Sequence, residues 1–281
     1  MSTLLVADQH RHDATHRVEP FVERLCSDCR PSLLILCDHA GFELPQGVEE
    51  LEITEDLLRR HIGWDIGAAV ATRRLHQRLG GTALLNHASR LYVDANRRPF
   101  SPTSIPASSD GIFVPGNRSL SKAARARRHA IAFWPYHRRI SRLLGGISRQ
   151  GLGPVLISVH SFTPVMAGVA RPWDVGVLWD HDRRLAGRVL RSLRARDDLM
   201  VGDNEPYSGL EEFGFTVTFH AQRTGIPHIM FELRQDRVES DEQARLFGDI
   251  LADSVEPLLD DPDLRKRMPE TNRKWRRGPL V

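Results

Sequence analysis

The stretch Pro154-Val-Leu-Ile-Ser-Val-His160-Ser161 constrains this chain more than any other. From Val155 to Val159 it is apolar but for one small hydroxyl, it opens on Gly-Pro, and it stops at a histidine. Such a run reads as a strand buried on both faces, as in parallel sheets covered by helices. Ligands and reactive groups in open sheets of this kind gather just past the carboxyl ends of the strands. His160 stands at that point. It reads either as a chemical group or as a residue that closes the strand by bonding a carbonyl, and the stretch alone does not separate the two.

Comparable runs recur. Ser32-Leu-Leu-Ile-Leu-Cys37 leads into Asp38-His39-Ala-Gly41, residues 82–85 and 175–179 form two more, and 227–231 runs into Glu232. A further short strand is predicted over 90–93, ahead of Asp94-Ala-Asn96-Arg97. Between them, Leu57, Leu58, Ile62, Ile66, Ala69, Val70 and Leu75 recur at helical spacing, and Gly80-Gly81 stops that helix, predicted over 54–79. Helices are also predicted over 121–148 (despite Pro135), 182–196, 216–224 and 240–259, with a short amphipathic one near 18–25. Pro45 and Gly47 mark a loop. Residues 98–118 hold four prolines and many serines, a long loop of the kind that is functional or disordered. Strands alternating with helices predict an α/β fold of three layers, a mainly parallel or mixed central sheet with helices on both faces. No repeat or linker divides the chain, so one domain is expected over 1–281, with 1–30 as an N-terminal extension and 261–281 as a basic tail.

Composition narrows the function classes. A 41% hydrophobic fraction suffices for a core, and no apolar run approaches the roughly 18 residues of a membrane span. No basic segment followed by an apolar core opens the chain, so the cytoplasm is the expected compartment, with no membrane partner. The formal net charge is only +3, and the pI near 9.0 reflects excess arginine. The arginines of the 121–148 helix (Arg125, Arg127, Arg128, Arg138, Arg139, Arg142) have few aromatic companions and read as a solvated face, so no nucleic-acid partner is expected. Cys26-Ser-Asp-Cys29 is a lone C-x-x-C ahead of a strand, and reads as two reduced thiols. No Gly-x-Gly-x-x-Gly, Walker-type loop or Gly-x-Ser-x-Gly elbow appears.

Three buried-strand candidates thus end in His39, His160 and Glu232, and parallel strands present their carboxyl ends on one side. A catalytic zinc takes three ligands from His, Asp or Glu and keeps one position open. His39, Glu43 and His160 would supply them, with Asp38 and Asp65 as competing carboxylates. Glu232 would serve as general base and Arg97 would hold a developing oxyanion or an anionic substrate group. His-x-x-x-Glu brings Glu43 into reach only if the loop folds back, a turn that Pro45 suggests. Arg90, Asp65 and Tyr207 are further candidates to face the substrate, each also explicable as a salt-bridge or packing residue. His87, His181, His220 and His228 read as structural or exposed.

Asp38-His39-Ala-Gly41-Phe-Glu43-Leu-Pro45, Ser89-Arg90-Leu-Tyr-Val-Asp94-Ala-Asn96-Arg97, Val159-His160-Ser161 and Phe231-Glu232-Leu together resemble the N-formylglutamate amidohydrolase family, over roughly residues 33–235. That family shares the fold of the zinc carboxypeptidases and phosphorylase/hydrolase-like proteins. Asn96-Arg97 resembles their pair that holds a substrate carboxylate, His160 their last zinc ligand, and Glu232 their catalytic glutamate. The departure is at the first motif, where His-x-x-Glu would put the glutamate at Phe42. The resemblance implies zinc-dependent hydrolysis of the C–N amide bond of a small anionic N-acyl amino acid such as N-formylglutamate, in amino-acid catabolism. The alternatives are a carboxypeptidase or deacylase acting on another amide, and a binding protein that kept the fold without the chemistry.

Overall fold

The computed structural model describes residues 16–46, 51–210 and 214–268. Residues 1–15 of the expected extension, Gly47, and residues 269–281 of the basic tail lie outside them. Eight strands form one sheet: β1 (His16–Glu19), β2 (Val22–Cys26), β3 (Leu33–Cys37), β4 (Thr82–Asn86), β5 (Val155–Phe162), β6 (Val175–Leu178), β7 (Val201–Asp203) and β8 (His228–Arg234). Their spatial order is β1-β2-β4-β3-β5-β8-β6-β7. The central pairs β4–β3, β3–β5 and β5–β8 are parallel, while β2–β4 and β8–β6 are antiparallel, so the sheet is mixed. All eight residues of β5 are buried, and the strand does not stop at His160 as the sequence predicts but pairs with β8 as far as Phe162.

Alternation along the strands feeds two cores. Leu33, Ile35, Ala83, Val155, Ile157, Val159, Ile229 and Phe231 pack against helices α1 (Ala68–Leu79), α4 (Ala186–Arg194) and α6 (Asp241–Val255). Leu34, Leu36, Leu84, Leu156 and Met230 pack on the opposite face against α3 (Trp134–Arg149) and α5 (Phe215–His220). The expected three-layer α/β architecture is the one observed. α2 (Lys122–Arg128) joins α3 through a wide π-helical turn, His129–Phe133, which absorbs Pro135 at the start of α3 without losing a hydrogen bond in mid-helix. Arg128 is fully buried and donates to Asn117 Oδ1 (2.6 Å), while Arg127, Arg138 and Arg142 are exposed.

Four local expectations need correction. The 18–25 segment is the β1–β2 hairpin, because Pro20 sits in its turn and the strand edge of β4 pairs with β2. Residues 90–93 form a turn, with Tyr92 N donating to Ser89 O at 3.0 Å, and their apolar side chains fill a satellite core with Leu51, Ile62 and Phe133. The 54–79 helix is broken into one turn, Glu55–Leu58, and α1. Gly63 and Gly67 force the break: a Cβ at Gly63 would lie 2.0 Å from Leu58 O, and Gly67 has φ 77° with Val238 O at 2.2 Å from its would-be Cβ. Glu232 does not follow its strand but lies within β8.

Candidate active site

The parity of the strands places the site. Leu34 and Leu36 point toward α3, and so does the next residue of that face, Asp38, whose Oδ1 accepts from Tyr136 Oη at 2.8 Å. Along β5 the same face carries Leu156, Ser158 and His160. On β8 it carries Met230 and Glu232, and Glu232 is the register partner of His160. Two short pleats therefore set a histidine and a glutamate side by side at the carboxyl end of the central sheet.

His39, just past β3, and His160 both turn Nδ1 toward one oxygen, Asp65 Oδ2, at 3.3 and 2.9 Å. Asp65 arrives from the break between the two helical pieces, its N–H donating to His39 O (3.0 Å). The ligand atoms of His39, Asp65 and His160 lie within 4.8 Å of one another, and all three residues are buried. Each imidazole has a second carboxylate behind it: His39 Nε2 is 2.8 Å from Asp94 Oδ1, and His160 Nε2 is 3.2 Å from Asp38 Oδ2 and 3.1 Å from Ser158 Oγ. Metal-binding histidines are characteristically backed this way, because the outer carboxylate fixes the ring and raises its basicity. Two imidazoles and a carboxylate converging from outer carboxylates are a donor set that fits zinc. Burial opposes charge on all these groups, yet mutual attraction prevails: His39 and His160 are held above the usual histidine range, and Asp38, Asp65 and Asp94 below the usual carboxylate range.

Glu232 differs. It is 7% exposed, its Oε2 has no hydrogen-bond partner among the described residues, and burial raises its pKa to about 7. A buried carboxyl poised near neutrality and lacking a partner is suited to receive and release a proton.

The structure sorts the other candidates. Glu43 stays out of the cluster: its half-exposed carboxylate pairs with Arg17 Nη1 at 2.9 Å, and its backbone bridges Ala88. The loop carrying it does fold back, but as a strand-like extension beside Ala88 that turns the side chain away. Asp65, weighed as the competing carboxylate, stands where Glu43 was expected. Arg90 donates to two carboxylates, Asp65 Oδ1 (3.0 Å) and Asp94 Oδ2 (3.1 Å), and so ties the cluster together. Asn96 is buried, with its Oδ1 accepting from Thr216 N (3.0 Å) at the start of α5. Arg97 lies next to it at the rim, half-buried, donating to Asn96 O. Tyr207 reaches the site because Gly176 has no side chain: a Cβ there would lie 2.0 Å from Glu205 O, so the 203–209 loop rests directly on the sheet beside Glu232. Burial and the nearby Glu232 charge raise the Tyr207 pKa. Two residues that the sequence does not single out complete the site: Asp94 as the carboxylate behind His39 and Tyr136 behind Asp38. Asp94 was visible only as part of Asp-Ala-Asn-Arg. Cys26 and Cys29 are free thiols, and no metal-binding group among the described residues includes them.

A mixed sheet between two helical layers, with two histidines and a glutamate meeting at the carboxyl end of its central strands, is a three-layer α/β fold that carries a candidate metal site. The model of one family, described as N-formylglutamate amidohydrolase, matches residues 31–238. The chain belongs to that family. Gene product Atu2144 of Agrobacterium tumefaciens is 30% identical and superposes with a TM-score of 0.80, over 84% of this chain and 94% of that one. An N-formylglutamate amidohydrolase from Ralstonia eutropha is 18% identical, TM-score 0.67, over 85% of this chain and 97% of its own, a likeness of fold. No protein of curated function matches this chain in sequence. No helix among the described residues is long and apolar enough to cross a membrane.

Proposed function

We propose that this chain is a zinc-dependent amidohydrolase that cleaves the C–N bond of a small anionic N-acyl amino acid, N-formylglutamate or a close relative, releasing formate and the amino acid. The observation that carries the reading is the convergence of His39, Asp65 and His160 on one point, with the unpartnered Glu232 beside His160. Family membership supports the amide-hydrolysing class. A zinc ion held by His39, Asp65 and His160 would supply Lewis acidity toward the scissile carbonyl. Glu232 removes a proton from the attacking water and returns it to the amine nitrogen as the C–N bond breaks, a traffic its pKa near 7 suits. Arg97 holds the developing oxyanion or a substrate carboxylate. Asp38 and Asp94 keep the two rings oriented, and Arg90 keeps Asp65 and Asp94 in place.

The alternative of an inactive binding protein drew its motive from the uncertain reach of Glu43. Asp65 beside both histidines supports the catalytic reading over it. The test is elemental analysis of the purified protein together with hydrolysis of N-formyl-L-glutamate before and after a chelator. Zinc near one equivalent and chelator-sensitive turnover are expected, and Glu232→Gln should keep its zinc while the rate falls about 10²- to 10⁴-fold. Protein that takes up no zinc at micromolar concentration, or turnover indifferent to chelator, would overturn the mechanism. A panel of other N-acyl amino acids and short peptides separates this activity from a carboxypeptidase or a different deacylase.

A further inference from the structure

Arg171 has a setting that none of the roles above uses. Its side chain emerges after an exposed two-stranded hairpin, Val165–Met166 with Val169–Ala170, that follows β5. The residue is buried (8% exposed), and its guanidinium lies between two aromatic rings, 5.1 Å from the Phe162 centroid and 5.4 Å from that of Tyr207. Nε donates to Thr163 O at 2.8 Å, Nη1 to Tyr207 Oη at 2.7 Å, and Nη2 to Thr163 Oγ1. Those bonds spend three of the five N–H groups of a guanidinium. Every partner is neutral. No acidic side chain among the described residues pairs with Arg171, whereas other partly buried arginines, such as Arg90, Arg184 and Arg234, have one.

A cation taken out of water without a counter-charge is costly, and here it is held rigid by two rings and three bonds. Rigid, planar and stacked is the arrangement in which arginine receives a carboxylate most effectively. Its position suits a substrate. Phe162 ends β5 two residues after His160, Thr163 is the next residue, and Tyr207, which binds the guanidinium, feels the charge of Glu232. A doubly anionic N-acyl amino acid needs two cationic holders. Arg97 is assigned to one end and Arg90 is committed to Asp65 and Asp94.

We propose that Arg171, clamped by Phe162 and Tyr207, is the specificity determinant that receives the side-chain carboxylate of a dicarboxylic N-acyl amino acid. The inference rests on the amidohydrolase reading. It makes the enzyme selective for acidic side chains and predicts that the neutral amide isostere is a poor substrate.

The experiment compares kcat/KM for N-formyl-L-glutamate and N-formyl-L-glutamine in the zinc-loaded wild type, Arg171→Gln and Arg171→Lys. Charged hydrogen bonds of this kind contribute enough to predict a loss of about 10- to 150-fold on the glutamate substrate in Arg171→Gln, chiefly in KM. The glutamine substrate should change less than about threefold, and the wild-type preference for the acid should disappear. Arg171→Lys, which keeps the charge and most of the stem, should lie in between and serves if the glutamine variant does not fold. An equal loss on both substrates marks Arg171 as structural and overturns the proposal, as does an unchanged rate on the glutamate substrate. If the wild type hydrolyses neither compound, the amidohydrolase reading fails, and calorimetric titration with glutarate decides on Arg171 separately. Binding by the wild type that weakens about tenfold or more in the variant supports the carboxylate site; equal binding, or none by the wild type, overturns it.

Discussion

Exchanging Asp65 and Glu43 in turn decides which carboxylate completes the metal site. Asp65→Asn keeps the shape of the side chain and removes its charge. In the folded chain Asp65 Oδ2 lies 2.9 Å from His160 Nδ1 and 3.3 Å from His39 Nδ1, and Oδ1 accepts from Arg90 at 3.0 Å. Neutralising it leaves those groups facing an amide in a buried site, and breaking such a buried pair costs about 3–5 kcal/mol. For zinc, even outer-shell changes cost about 10- to 100-fold in affinity, so loss of an inner carboxylate should cost at least about 100-fold, or ~2.7 kcal/mol. Glu43→Gln breaks only the half-exposed pair with Arg17, worth about 0–1 kcal/mol, and should leave zinc affinity within about twofold of wild type. The assay is competition for zinc against a chromophoric chelator, with urea denaturation run alongside to confirm that each variant is folded under the conditions used. Wild-type zinc affinity in Asp65→Asn together with a large loss in Glu43→Gln would refute the assignment and restore His39, Glu43 and His160 as the ligand set.

Further outcomes follow from the same geometry. Asp94→Asn removes the carboxylate behind His39 and should weaken zinc binding about 10- to 100-fold by the same chelator competition, with Asp65 still in place. His137 and His220 form a buried neutral pair: His137 Nε2–H donates to Ala95 O (2.9 Å), and its bare Nδ1 accepts from His220 Nε2–H (2.9 Å). Burial lowers their pKa values to about 4 and about 2, below the unfolded value near 6.5, so the stability they contribute is complete above about pH 6.5 and is lost as pH falls toward 4 for His137 and toward 2 for His220. Urea melts should show that loss at up to about 1.4 kcal/mol per pH unit per histidine, and His137→Gln should flatten the slope in that window; an unchanged slope counts against the tautomer assignment. Gly67→Ala should destabilise the chain by about 1–3 kcal/mol in the same melts, since φ is 77° and Val238 O leaves no room for a Cβ.

The parts of the site that were legible in the sequence are those that a strand delivers. β3 is an apolar run with His39 two residues beyond its end, β5 is an apolar run that carries His160 two residues before its end, and because their chains run parallel both histidines had to emerge at one edge. Glu232 was found for the same reason, although β8 extends past it; what matters is that parity puts it on the His160 face. The illegible parts are those delivered by turns. Residues 90–93 are as apolar as a strand, but their hydrogen bonds close on Ser89 and their side chains serve the satellite core. A four-residue run carries no period long enough to tell the two apart.

Asp65 is the instructive case. Its neighbours Ile62, Ile66, Ala69 and Val70 keep helical spacing across the whole segment, so periodicity reads straight through the break that presents it. The contrary signal was present in Gly63 and Gly67, two glycines flanking the acid inside an otherwise good helical pattern. Each is there because another backbone passes at van der Waals distance or closer to where a Cβ would be, and between them the chain turns inward far enough for Asp65 N to reach His39 O. Glu43 had the opposite misfortune: it lies close to His39 in sequence, but the extended backbone that brings it alongside Ala88 sends its carboxylate to Arg17. Proximity along the chain favoured the wrong carboxylate because ligand geometry depends on the direction of the side chain, and among the described residues it is the kinked segment, twenty-six residues beyond His39, that aims one at both imidazoles.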